Sequence, residues 1–139
     1  MSRPGRGTLE EGAWCVGHVI NIEEHVYDSL MGSSEVKEEM LHFSRAMYYV
    51  RMKLAEIWLQ IQGLPIDSVY VRNYWCIVKH FLSLQIHLQE FASMLERDGL
   101  TDLSRKVTEV YKETISLRKQ FMEILRKAVE EEKKSGEKK

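Results

Sequence analysis

The sequence predicts an all-α protein, a four-helix up-down-up-down bundle made of two duplicated helical hairpins. Three observations carry this. Apolar residues recur at alternating spacings of four and three along the second and last of four long segments. Turn residues punctuate the segments at short intervals: Gly32, then Gly63-Leu64-Pro65, then Gly99. A Trp-Cys pair followed by two histidines seven residues apart occurs twice, at Trp14-Cys15 with His18 and His25 and at Trp75-Cys76 with His80 and His87.

Size and composition set the frame. A chain of 139 residues fits one domain with a substantial core. It is 44% apolar and 29% charged, and 20 basic residues nearly balance 21 acidic ones for a formal charge of −1. That balance leaves no electrostatic footprint for nucleic acid or an anionic membrane. No apolar run approaches the roughly 18 residues of a membrane span. The start, Met-Ser-Arg-Pro-Gly-Arg-Gly, leads into Leu-Glu-Glu instead of an apolar run, so no signal peptide is expected. Two cysteines do not make a secreted disulfide scaffold, and the expected compartment is the reducing cytoplasm.

Residues 1–7, rich in glycine, proline and arginine, read as a disordered lead to a bundle over 8–129. Thr8 with Glu11 resembles a capping box, which starts the first helix at Leu9 and carries it to Met31 before Gly32. Gly12 and Gly17 fall inside it, each unfavourable by about 1 kcal/mol against alanine. Their presence implies a later helix start or a close neighbour at those positions.

Ser34 is the expected N-cap of the second helix, whose stripe is Val36, Met40, Phe43, Met47, Val50, Leu54, Ile57 and Ile61. Leu41, Tyr48, Met52, Ala55 and Leu59 form a second stripe about 120° away. Gly63-Leu64-Pro65 closes the first hairpin, 8–62.

Asp67 or Ser68 caps the third helix, which runs to Arg97. Its main face is Tyr70, Ile77, Phe81, Leu84, Leu88, Phe91 and Leu95, with Val71, Val78, Leu82 and Ile86 on the other. Thr101 caps the fourth, with Leu103, Val107, Val110, Thr114, Leu117, Phe121, Ile124 and Ala128 as its stripe, and the second hairpin spans 67–129. Residues 130–139 read as a charged disordered tail.

The second and fourth helices match at a constant offset of 67, so that Val50-Arg51 meets Leu117-Arg118 and Gly32 meets Gly99. The histidines of the first and third helices match at 62. This is the signature of a duplicated hairpin.

The clustered ligand types raise a metal site. Cys15 and His18 lie at i, i+3, and Cys76 and His80 at i, i+4, so each pair shares a helix face. With His25 and His87 they form a candidate set for zinc or another transition metal, since imidazole and thiolate suit such ions. In an up-down bundle, however, the first and third helices are diagonal, so closing a site across them needs small neighbours. Glu39 and His42 have the Glu-x-x-His spacing of di-iron bundles, but His42 lies about 120° from the first stripe. No carboxylate occupies the stripes of the second or fourth helix, which excludes that centre.

Arg72-Asn73 followed by His80 resembles the Arg-polar-x-His signature of the HEPN helical ribonucleases. Membership would imply phosphate binding by Arg72 and general acid–base work by His80. The resemblance covers that segment alone and departs in spacing, with seven residues between Arg72 and His80 in place of four to six.

The expected function is therefore a non-enzymatic interaction or scaffold bundle, self-associating as a dimer through helices 2 and 3. The metal- or cofactor-binding bundle is the alternative, and the ribonuclease is third.

Overall fold

The computed structural model describes residues 4–31 and 38–137. These form four α-helices, α1 (Arg6–Met31), α2 (Glu38–Gln60), α3 (Val69–Arg97) and α4 (Thr101–Glu137), with no strand among the described residues. None of these helices is long and apolar enough to cross a membrane. Gly32, the proposed Ser34 cap and Val36 lie outside the described residues.

Two turns end helices by the same device. Gly63 (φ 72°) and Gly99 (φ 79°) take up left-handed backbone that residues with a Cβ avoid. Leu64 N–H then donates to the Leu59 carbonyl and Gly63 N–H to that of Gln60; Leu100 and Gly99 repeat the pattern on Leu95 and Glu96. Both are Schellman closures, and at the first the buried Leu64 packs with the buried Leu59.

Helix bounds differ from expectation at both ends. α1 begins at Arg6, with Leu9 N–H bonded to the Gly5 carbonyl, so Thr8 lies within the helix and does not cap it. α4 continues through Glu137 where a disordered tail is expected. The segment Glu130-Glu-Glu-Lys-Lys is made of strong helix formers. One of its glutamates is also used: Ser68 Oγ donates to Glu132 Oε2 at 2.7 Å, and Val69 N–H faces Oε1 at 3.5 Å. Ser68, the residue at the N-cap of α3, makes no side-chain cap of its own; Glu132 accepts its hydroxyl and faces the exposed amide.

α2 folds back along α1, bringing Trp58 to Leu9 and Arg51 to Glu23. α4 folds back along α3, bringing Ser104 to Ala92, Tyr111 to Gln89 and Arg118 to Gln85. At backbone level α1 lies against both α2 and α3, and α3 against both α1 and α4. The first and third helices are thus in direct backbone contact, closer than the sequence expectation for them required. The two helical glycines explain the approach. A Cβ on Gly17 would sit 2.9 Å from the Leu82 carbonyl oxygen and 3.1 Å from Ile86 Cγ1. A Cβ on Gly12 would sit 2.5 Å from Trp58 Cδ1.

The core draws on all four helices: Ala13, Val16 and Ile20; Ala55, Trp58 and Leu59; Val71, Val78 and Leu82; Met122, Leu125 and Val129. Each large side chain here contributes about 1.5–3 kcal/mol by leaving water. Only Ala55 and Leu59 of α2 belong to a predicted stripe, and it is the second one. Phe43, Val50 and Ile57 of the first stripe are exposed, as are Leu103, Val110, Leu117 and Ile124 of α4 and Ile77, Leu84 and Phe91 of α3. Each of these helices carries more apolar surface than one side can bury. The side holding small residues or a matching hole, such as Ala55 or Gly12 opposite Trp58, wins the close contact.

Candidate interaction surface

The six predicted ligand residues do not form a centre. Cys15 and Cys76 are exposed free thiols. His18, His25 and His80 are exposed as well, His18 with its ring 6.0 Å from that of Trp14. His87 is exposed and bonds through Nε2 to Glu24 at 2.8 Å, with Glu90 3.7 Å from Nδ1. Among the described residues no three His, Cys, Asp or Glu side chains are grouped to hold a metal ion. Glu39 and His42 are exposed, as the sequence implies.

The α1–α3 contact is instead a polar seam around Glu24. Ser83 Oγ donates to Glu24 Oε1 at 2.6 Å, and Asn21 Nδ2 donates to Glu90 at 3.4 Å. Burial acts to raise the Glu24 pKa. Hydrogen bonds from Ser83 and His87, with the charges of His87 and Lys79, outweigh it and hold the carboxyl below its ordinary 4.5.

A second polar group is buried. Arg118, on α4, has a side chain only 4% exposed; its Nη2 reaches Glu10 Oε1 at 2.5 Å and its Nη1 donates to Gln85 Oε1 at 2.6 Å. Lys119 lies 3.5 Å from the same Glu10 oxygen. Nearby, burial raises the Tyr111 pKa, helped by the Glu10 charge and opposed by the Gln89 hydrogen bond and Arg118. Sequence reading paired Arg118 with Arg51 by offset but did not mark either as inward. The available signal was an arginine beside an apolar row, one position around the helix toward the core. Arg51 behaves alike, with Nε 2.5 Å from Glu23.

Arg72 and His80, the residues of the nuclease-like motif, are both exposed on α3. Arg72 lines an apolar cleft of about 330 Å³ with Tyr48, Met52 and Trp75, and His80 is not among its lining residues.

The most extensive feature is apolar. Three rows repeat every seven residues on the outside: Phe43, Val50 and Ile57 on α2; Tyr70, Ile77, Leu84 and Phe91 on α3; Leu103, Val110, Leu117 and Ile124 on α4. Each of these side chains is between 36% and 61% exposed. The α3 and α4 rows flank one aromatic seam, in which Phe121 lies 6.2 Å from both Tyr74 (edge-on, 81°) and Phe81. From Asn73 to Gln89 the only lysine, arginine, aspartate or glutamate on α3 is Lys79. Aromatic enrichment with charge depletion is the composition of a binding face.

Comparison with protein-family models, curated proteins and solved structures finds no match for this chain.

Proposed function

We propose that this protein is a non-enzymatic helical interaction module that self-associates through its exposed heptad rows. The observation that carries the proposal is the period of those rows. On a straight helix positions seven apart drift by about 20° per repeat, so a sustained heptad row serves a partner helix lying along it. Contiguous apolar surface of this extent marks an interaction site.

The finer reading of the fold is an up-down-up-down arrangement of two hairpins related by duplication. In support, residues 67 apart share environments: Ile57 and Ile124 are exposed, Ala55 and Met122 are buried, and Arg51 and Arg118 each ion-pair with a glutamate of α1. Between α1 and α3, at the offset of 62, Val16 and Val78, Ile20 and Leu82, and Asn21 and Ser83 are buried alike.

Sedimentation equilibrium from low micromolar to submillimolar protein tests the function. A concentration-dependent rise in mass above that of the 16.4 kDa chain is expected. A single monomeric mass across the range overturns the proposal.

A further inference from the structure

We infer that the seat of self-association is the outer face of the α3–α4 pair, and that its occupant is the same face of a second copy. This rests on the self-association proposed above and narrows it to one surface.

Among the described residues the α3–α4 pair is a layer covered on one side only. Toward α1 it buries Leu82 and Ile86 against Gly17, and Arg118 reaches Glu10. On its other side lie the two heptad rows with Phe121 between them. Two helices with an apolar seam along their shared groove make half of a four-helix layer, and a second such pair completes it.

The area is sufficient. The two rows with Tyr74 comprise nine side chains, each leaving on the order of 100 Å² in water, so a pair of copies offers roughly 1,800 Å², a standard stable interface. The α2 row is the poorer candidate because its described part has three members and no aromatic seam beside it.

Charge favours an identical partner. At −1 per chain, two copies repel little. Beyond the α4 row the exposed rim carries Asp102, Lys106, Glu109, Glu113 and Lys127, of both signs, whereas beyond the α3 row it carries Asn73 and His80. Seating α3 of one copy against α4 of the other therefore sets an edge free of lysine, arginine, aspartate and glutamate against one that carries both signs. The closed two-fold arrangement covers both faces at once.

The test compares sedimentation of the wild-type chain, Leu84→Glu/Leu117→Glu and Val50→Glu/Ile57→Glu, with far-UV circular dichroism to verify folding. All four positions are exposed, so the substitutions leave the core intact. The α3–α4 variant is expected to dimerise roughly a thousandfold more weakly, from about thirtyfold per substituted position, each position placing one charge from each copy in the interface, and the α2 variant to dimerise as wild type. A wild-type monomer overturns both this inference and the function above. A dimer lost only in the α2 variant overturns this inference alone. A second readout needs no charge: Leu84→Cys in a Cys15→Ser/Cys76→Ser chain should react with Ellman's reagent roughly tenfold more slowly above the dimerisation constant than below it. A rate independent of protein concentration overturns the inference.

Discussion

Replacing Gly12 or Gly17 by alanine should destabilise this protein although both glycines lie inside a helix. Intrinsic preference favours alanine by about 1 kcal/mol at such a position. At Gly17 the new methyl would stand 2.9 Å from the Leu82 carbonyl oxygen, a backbone atom that cannot swing away, and 3.1 Å from Ile86 Cγ1. α1 and α3 must then separate by several tenths of an ångström, loosening the contacts of Val16, Ile20 and Leu82. Overpacking of this kind costs about 1–3 kcal/mol, leaving a net loss of about 1 kcal/mol. At Gly12 the methyl would stand 2.5 Å from Trp58 Cδ1, in the middle of a rigid ring. The indole must turn, which breaks the 3.0 Å bond from Trp58 Nε1 to the Leu9 carbonyl. That bond adds about 1 kcal/mol to the overpacking, for a net loss of about 2 kcal/mol.

Gly7 provides the internal control. It also lies in α1, but nothing stands within 4 Å of its virtual Cβ. Gly7→Ala should be neutral or stabilising by up to about 1 kcal/mol. Urea unfolding followed by far-UV circular dichroism, at one fixed protein concentration because the self-association proposed above would shift apparent stability, should rank Gly7→Ala at or above wild type, then Gly17→Ala, then Gly12→Ala. If Gly12→Ala or Gly17→Ala gains stability as Gly7→Ala does, the close packing of α1 against Trp58 and α3 is refuted.

Other expectations follow from the polar contacts. Glu10→Ala leaves the buried Arg118 without its carboxylate and should lower unfolding free energy by about 2–3 kcal/mol, less than a fully buried pair because Glu10 itself is partly exposed; an unchanged urea midpoint would contradict the contact. Because the folded Glu24 pKa lies below 4.5, its contribution is present above that value and is lost as pH falls through the lower folded value. Glu24→Gln should accordingly flatten the acid limb of the stability–pH profile, and an identical limb in both proteins would exclude the role. Glu132→Ala removes the acceptor for Ser68 Oγ and should cost about 0.5–1 kcal/mol by thermal or urea unfolding. Truncation before Glu130 should cost at least as much, and no loss would mean that the end of α4 contributes nothing to the α3 start.

How far the fold could be read from sequence depends on the range of the interaction. Helices, their turns and the role of Gly63 and Gly99 follow from backbone preferences and from periodicity within a few residues. The Thr8 cap misled because a capping box counts only where the helix begins, and the described Pro4–Gly5 segment allows a start one turn earlier. The histidine and cysteine pairs were visible as pairs because their spacing is local. Whether two pairs converge depends on the rotation of α1 and α3 about their own axes, which no spacing encodes. That rotation turns Glu24 toward Ser83 and His87, and leaves Cys15 and Cys76 in water.

By itself the sequence determined that this chain is helical, where the turns at Gly63 and Gly99 fall, that Gly12 and Gly17 imply either a later start of the first helix or close neighbours, and that α2 and α3 carry more apolar surface than one core accepts. Only the tertiary structure decided which of two rows each helix buries, that α1 lies beside α3, and that Arg51 and Arg118 point inward. The physical reason is that heptad spacing fixes the angles between residues on one helix but leaves the helix free to turn as a whole. Packing removes that freedom, here through the fit of Trp58 over Gly12 and of the α3 backbone over Gly17, and the rows left outside are the surface on which the proposal of self-association rests.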